Sequence, residues 1–304
     1  MRGRGQGTDS IAAFHCWAKL GNAGWKPGME QEKRMLTNKL LAMEESAIVW
    51  ITGASSGIGE ALAKAWSQKG AIVILSSRKE AELERVKAEC AHPEKCFIVC
   101  LDLADPASLD AAAKMVLDRF GYVDILVNNG GISQRSLVVE TPMEIDRRIM
   151  QVDYFGGVQL AKAVLPSMLA RKKGHFVAIS SIVGVFGFPQ RSAYSAAKHA
   201  MHGFYETLRA ENAQYGIKVT VVCPGRILTN VSLHALTATG AEHGVMDHGQ
   251  KNGISAEECA RRIMKAVRRS KKEVYVCRID VLMVYFRRYI PALYYRLAGK
   301  VKPN

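Results

Sequence analysis

The run Thr52-Gly53-Ala54-Ser55-Ser56-Gly57-Ile58-Gly59 restricts what this chain can fold into more than any other feature. It follows the apolar segment Ala47–Ile51 and passes at once into Glu60-Ala-Leu-Ala-Lys-Ala-Trp66, which has helical spacing. Gly53 permits a tight turn out of a strand, Gly57 lets backbone approach a ligand closely, and Gly59 lets the next helix pack against the sheet. The start of that helix offers unpaired N–H groups and a positive dipole end to an anion. A glycine-rich turn alone is often merely a turn. Strand, loop and helix in succession predict the pyrophosphate site of a dinucleotide.

Further apolar runs, many rich in Val and Ile, occupy Ala71–Leu75, Phe97–Leu101, Asp124–Val127, Phe176–Ile179, Lys218–Val222 and Val274–Cys277. Continuously apolar strands are those buried on both faces. Between them lie stretches of helical length and amphipathic spacing, such as Glu60–Lys69, Ala107–Phe120 and Ser195–Gln214. Alternation of this kind predicts an α/β fold: one doubly wound domain, a seven-stranded parallel sheet flanked by helices, over residues 43–280.

Charge sharpens the division of the chain. Residues 1–42 carry 7 basic and 3 acidic side chains, residues 43–260 carry 22 and 23, and residues 261–304 carry 13 and 2. The net charge of +14 therefore sits in the two ends, and a neutral body disfavours a nucleic-acid reader. Residues 1–42 lack periodicity and are expected to be a disordered extension, with Met43 as an alternative translation start that an intact mass would settle. Residues 281–304 form a basic, aromatic segment. Tyr285, Phe286, Tyr289, Tyr294 and Tyr295 alternate there with Arg287, Arg288 and Arg296, and Pro291 interrupts any single helix. Two readings of residues 279–304 stand: a helical cover over the substrate pocket or a subunit contact, and a peripheral contact with anionic membrane. Cys16, Cys90, Cys96, Cys100, Cys223, Cys259 and Cys277 form an odd set without a CxxC pair, which favours free thiols in a reducing, cytoplasmic setting over disulfides or a metal site. No run is long and apolar enough to cross a bilayer, which takes about 18 residues or more.

The end of the second strand reads Leu75-Ser76-Ser77-Arg78-Lys79, with no carboxylate before Glu80. An acidic group there would accept from a ribose 2′-OH and repel a 2′-phosphate. Arg78, with Ser77 as a further donor, can instead pair with that phosphate, so NADP(H) is expected ahead of NAD(H). The fifth strand ends in Ser180-Ser181, and Tyr194-Ser-Ala-Ala-Lys198 follows. On a helix, the i,i+4 spacing places phenol and ammonium on one face. A phenol with a pKa near 10 is a poor base at neutral pH, and a neighbouring Lys⁺ favours its phenolate. Tyr194 is the candidate proton donor or acceptor, Lys198 its activator, and Ser181 a hydrogen-bond partner for the oxygen that gains or loses the proton.

Together the glycine loop, Asn128-Asn129-Gly130-Gly131, Ser181, the Tyr194–Lys198 run and Pro224-Gly225 resemble a short-chain dehydrogenase/reductase, over about residues 46–290. Within it, Asn128–Ser136 and the tail beyond 280 resemble the dehydrogenase/reductase member 7 group. The resemblance implies a Rossmann fold and hydride transfer between nicotinamide C4 and a carbonyl or alcohol. It implies that Gly53, Ser55, Ser56 and Ile58 hold the pyrophosphate, Asp102 and Leu103 flank the adenine, and Asn129 meets the cofactor ribose. Lys198 would bind the nicotinamide ribose, and Pro224, Gly225 and Thr229 would line the nicotinamide. It also implies a homodimer or homotetramer, paired through the helices around Pro142–Leu169 and Ser195–Gln214.

Two departures stand out. Gly130 replaces the usual Ala and should only loosen the local backbone. Asp153 stands where the family carries a catalytic Asn that holds a relay water through its main-chain carbonyl, a role that Asp can keep. A buried carboxylate near Lys198 should alter the coupled ionisations. His199, His202 and Cys223 read as structural, and Asn230–Gly253 as a mobile lid. Phe186, Phe188 and Pro189 point to a hydrophobic substrate. The competing reading is a catalytically silent nucleotide sensor or membrane-docking protein on the same fold, which the intact Ser181, Tyr194 and Lys198 disfavour.

Overall fold

The computed structural model describes residues 46–298, so the extension expected for 1–42, the start at Met43 and the final residues of the basic tail lie outside it. Seven strands form one parallel sheet: β1 (Ile48–Thr52), β2 (Ile72–Ser76), β3 (Cys96–Ile98), β4 (Ile125–Asn128), β5 (Gly174–Ile179), β6 (Ile217–Pro224) and, after a short pair described below, β9 (Glu273–Val276). Their spatial order is β3-β2-β1-β4-β5-β6-β9. The order reverses between β1 and β4, and in such sheets the crevice at the strands' carboxyl ends there takes the ligand. Every residue of β1 is buried, as both faces are covered.

One face carries α1 (Gly57–Ser67), α2 (Glu80–Ala88) and, later in the chain, α8 (Ala256–Arg268). Its core joins Val49, Ile51, Leu62, Trp66, Leu75, Leu83 and Ile263. The other face carries α3 (Pro106–Phe120), α4 (Met143–Met150), α5 (Gly156–Ala170) and α6 (Ser192–Asn212), with Trp50, Leu109, Leu126, Leu160, Phe176 and Tyr205 at its centre. Each full burial of a large apolar side chain of this kind contributes about 1.5–3 kcal/mol. Helix α3 begins as its sequence dictates: Asp105 accepts from Ala107 N–H at 3.0 Å, Pro106 is its first residue, and Gly121 at φ 76° ends it.

Most boundaries shift by a residue or more from expectation, and three differences bear on the site. The third strand ends at Ile98 rather than Leu101, although Val99 N and Leu101 N still donate to Leu75 O and Ser77 O. Helix α6 begins at Ser192, ahead of the expected Ser195, because its start is held from a distant loop. The segment expected as a mobile lid, Asn230–Gly253, holds α7 (His248–Lys251) and is flanked by the two-stranded pair β7 (Ile227–Leu228) and β8 (Ile254–Ser255). It is stitched to the loop after β4 by Leu236 N–Ser133 O and Arg135 N–Leu236 O bonds, each 2.8 Å.

The chain ends, among described residues, in α9 (Val281–Tyr289) and α10 (Pro291–Ala298), separated where Pro291 forbids continuation. Tyr294 is buried against Val183 and Phe186, and its hydroxyl donates to Gly187 O at 3.1 Å. These helices thus pack beside the segment that leads to Tyr194. No helix among the described residues is long and apolar enough to cross a membrane.

Candidate active site

A cleft of about 710 Å³ opens at the carboxyl ends of the strands. All the cofactor-binding residues expected from the sequence line it except Gly59, and so do Asp153, Ser181, Tyr194 and Lys198. Gly59 lies beneath the loop. A Cβ there would stand 2.1 Å from Gly53 O, so the glycine is needed for the helix to sit this close to its own turn. At Gly57, with φ 57°, a Cβ would stand 2.9 Å from Thr229 Cγ2, which leaves bare backbone facing the cleft. Ser56 precedes α1 without capping it by a side-chain bond, and the first-turn N–H groups remain for an anion. These observations fit a dinucleotide pyrophosphate.

Asn129 holds this loop in place. Its side-chain amide donates to Thr52 O at 3.0 Å and Gly53 O at 3.2 Å, while its own N–H and that of Gly130 donate to Thr52 Oγ1, both at 3.0 Å. Gly130 does more than loosen backbone: a Cβ there would stand 2.5 Å from Leu103 Cδ1, so Leu103 occupies the space that the usual alanine would claim. Ser77 is half-buried, and Arg78 is exposed at the end of β2.

Ser181 follows β5 and opens a 3₁₀ turn. Its Oγ accepts from Val183 N–H at 3.4 Å and donates to Pro224 O at 3.5 Å, two long bonds that leave it loosely committed. Tyr194 is the third residue of α6, half-buried, and Lys198 lies one turn on, with Nζ 5.5 Å from the Tyr194 ring centroid. Lys198 is buried. Its ammonium donates to Ile179 O at 3.2 Å and stands 3.2 Å from Asp153 Oδ2.

Asp153 sits on a π-helical turn, Gln151–Phe155, between α4 and α5, and its Oδ1 accepts from Ile132 N–H at 2.8 Å. Turns of that type occur disproportionately at functional sites. The contact of Oδ2 with Lys198 is ionic, off the angle of a good hydrogen bond. Complete burial pushes the Asp153 carboxyl above the usual carboxylate range, against the pull of Lys198 and the Ile132 N–H. Burial alone would lower Lys198; the opposing influence of Asp153, with Tyr194, leaves it above its ordinary value and charged.

The sequence reading missed the group that seats Tyr194. Gln134 is fully buried, and its Oε1 accepts from Ala193 N–H at 2.9 Å and Tyr194 N–H at 3.4 Å. Its Nε2 lies 3.0–3.1 Å from the hydroxyls of Ser136, Thr141 and Ser192. A glutamine 59 residues upstream therefore satisfies orphan N–H groups of the catalytic helix. Also missed was Asp247, shared by two arginines. Arg135 Nε donates to its Oδ1 at 3.2 Å and Arg191 Nη2 to its Oδ2 at 2.9 Å. Burial, reinforced by Arg135, pulls Arg191 down to about 10. Two guanidinium groups against one carboxylate leave this cluster net positive on the cleft wall. Only the presence of Gln134 and Arg135 in the Asn128–Ser136 motif hinted at either arrangement.

With glycine loop, serine, tyrosine and lysine assembled on one cleft, comparison with known proteins is decisive. Residues 47–239 match the short chain dehydrogenase family. The chain belongs to that family. Short-chain dehydrogenases are nucleotide-binding oxidoreductases of Rossmann fold, as the sheet order here requires. The chain is 45% identical over 258 residues to dehydrogenase/reductase SDR family member 7B of Mus musculus, an overlap of 83% of this chain and 80% of that protein. A short-chain dehydrogenase from Streptomyces avermitilis superposes with a TM-score of 0.71 at 32% identity, covering 84% of this chain and 96% of that one. An alcohol dehydrogenase from Thermococcus sibiricus, solved with 5-hydroxy-NADP, gives 0.63 at 25% identity, covering 76% and 96%.

Proposed function

We propose that the chain is an NADP(H)-dependent oxidoreductase acting on the CH–OH group of donors, and in reverse on a carbonyl, in a hydrophobic substrate. The observation that carries this reading is the convergence of Ser181 Oγ, Tyr194 and the buried Lys198 ammonium on the cleft that the glycine loop lines. When bound, the nicotinamide cofactor supplies or accepts the hydride. The chain handles the proton and the oxygen. Tyr194 gives its hydroxyl proton to the oxygen that becomes the alcohol, and takes it back in oxidation. Lys198, held charged by Asp153, lowers the cost of the phenolate. Ser181 turns its loosely held hydroxyl onto the same oxygen. Phe186 and Phe188 pack with Tyr194, Met283, Val284 and Phe286 in a cluster beside the cleft, and the lipophilic reading is supported by Ile132, Ile179, Val231 and Leu236, which line the cleft itself. The positive charge at Arg191 suits an anionic group at the polar end of that substrate.

NADP(H) is preferred because Arg78 stands exposed at the end of β2 with no carboxylate beside it in the sequence before Glu80; the Thermococcus relative, with its NADP derivative, is consistent with this. Fluorescence titration is expected to give tighter binding of NADPH than NADH, with Arg78→Ala weakening NADPH about tenfold, the loss of about 1.4 kcal/mol, and leaving NADH unchanged. A preference for NADH would overturn the choice of cofactor, and binding of neither would overturn the enzyme reading. The same preparation is expected to run as a homodimer or homotetramer by light scattering, paired through α4, α5 and α6.

Peripheral membrane contact through residues 279–304 is part of the proposal. Leu282, Tyr285 and Tyr289 are exposed on α9, Ile290 at the break, and Leu293 and Tyr295 on α10, beside Arg287, Arg288 and Arg296. Rings at headgroup depth and cations on anionic lipid are the chemistry of such a surface. The protein is expected to sediment with phosphatidylserine-containing vesicles at low salt and to be released at high salt or by Arg287→Glu with Arg288→Glu. Equal recovery with and without anionic vesicles would remove the membrane from the proposal and leave these helices as a cover for the pocket in a cytoplasmic enzyme.

A further inference from the structure

We propose that His202, Cys223 and Glu273 form a binding site for a divalent cation of the zinc class, set behind the serine segment of the active site. The three side chains come from different elements. His202 lies on α6 one turn beyond Lys198, Cys223 is the penultimate residue of β6, and Glu273 opens β9. Cys223 Sγ stands 3.7 Å from His202 Nε2 and 3.8 Å from Glu273 Oε1, and all three donor atoms lie within 4.8 Å of one another. Zinc bonds of about 2.3 Å to sulfur and about 2.0–2.1 Å to nitrogen or oxygen give tetrahedral edges of about 3.3–3.6 Å. The donors need close by only a few tenths of an ångström on the two measured edges.

The surroundings have the form of a metal site's outer shell. Tyr275 Oη donates to Glu273 Oε1 at 2.7 Å, which orients that carboxylate. Glu206 Oε1 faces His202 Nδ1 at 4.0 Å, on the side of the ring away from the donor nitrogen. Ser180 Oγ, 3.1 Å from His202 Nε2, is placed to serve as a fourth oxygen or to hold a water. A thiolate, an imidazole and one carboxylate select zinc over magnesium or calcium, which require an oxygen cage. On binding, the Cys223 S–H proton passes to solvent as the sulfur–metal bond forms, with no change of oxidation state. Glu273 is exposed and provides the way in; Cys223 is buried. No sequence spacing could have flagged the set, since its members lie 21 and 50 residues apart.

The site touches the catalytic groups from behind. Ser180 Oγ also donates to Lys198 O at 3.1 Å, and Cys223 precedes Pro224, whose carbonyl accepts from Ser181. Occupation therefore draws Ser180 toward the metal and disturbs Ser181, and the cation is expected to slow turnover. Only this consequence rests on the functional reading above.

Cobalt(II), displaced afterwards by zinc, tests the site on the full chain. The expected result is one equivalent bound with a thiolate-to-cobalt charge-transfer band. That band should be absent in Cys223→Ala and intact in His199→Gln, while Tyr275→Phe weakens affinity about tenfold. The surface variant Glu273→Gln should weaken binding by at least as much without disturbing the fold. No thiolate band, or a band that persists in Cys223→Ala, overturns the proposal and leaves the three groups as a hydrogen-bonded cluster. Zinc should slow the wild type and spare Glu273→Gln; binding with unchanged turnover overturns the coupling to Ser180.

Discussion

Tyr194→Phe is expected to lower kcat by about 10²–10⁴-fold, the contribution of a positioned general acid or base, with little change in NADPH affinity. The substitution removes one oxygen and keeps the ring, which packs in a cluster with Ala193, Ala197 and Leu236. The glycine loop, Asn129 and Arg78, which would hold the cofactor's phosphates and ribose, are untouched. Loss of turnover with retained binding is therefore the signature of a missing proton donor rather than a damaged fold. Single-turnover reduction under NADPH excess would measure it, beside a cofactor titration of the same protein. A variant that keeps more than a tenth of wild-type kcat would move the proton chemistry to another group. Gln134→Met offers a graded comparison. It leaves the phenol in place and removes the acceptor that holds the Ala193 and Tyr194 N–H groups, so it should lower kcat by less than Tyr194→Phe does.

What separates legible from illegible in this chain is the range of the interaction. The glycine loop is readable because turn, close approach and helix start are all encoded within one short run, from Thr52 to Gly59. The buried strands announce themselves by continuous Val and Ile, and Tyr194 and Lys198 by a one-turn spacing that is fixed once a helix is assumed. Gln134 is different: nothing local marks it as the cap of a helix that begins 58 residues later at Ser192. Its invisibility to a local reading also explains why sequence alone starts that helix at Tyr194 or Ser195, later than Ser192. Asp247 is hidden for the same reason, since Arg135 and Arg191 reach it from separate loops. Gly130 misleads in the opposite direction. A missing methyl reads as local freedom, whereas in the fold Leu103 fills the space. Asp153 stands out in the sequence as a departure, and its π-helical turn and its 3.2 Å approach to Lys198 give that departure physical content.

Lys198→Met should be the most damaging single change to stability, and Asp153→Asn should rescue stability without rescuing turnover. Lys198 and Asp153 are both buried, and removing one member of such a pair leaves an uncompensated charge at a cost of about 3–5 kcal/mol. At about 2–4 °C per kcal/mol for a domain of this size, Tm should fall by roughly 6–20 °C. The sign of its pH dependence follows from Asp153. Burial already raises its folded pKa above the usual 3.8, and loss of Lys198, which pulls it down, raises it further. Between the unfolded and folded values the native state binds the extra proton, so stability falls as pH rises through that window, and the penalty is complete above the folded pKa. Lys198→Met should therefore melt closer to wild type in acid than at neutral pH, and the double variant should lose that dependence because the introduced amide cannot ionise. Asp153→Asn alone acts on the other limb. Without the carboxylate, burial of Lys198 is less opposed, its folded pKa drops, and the ammonium that supports the Tyr194 phenolate is lost at lower pH. The alkaline limb of the pH–rate profile should move downward accordingly. Equal melting shifts for Lys198→Met at acid and neutral pH, or an unmoved profile for Asp153→Asn, would mean that the pair is not coupled in the way its geometry implies.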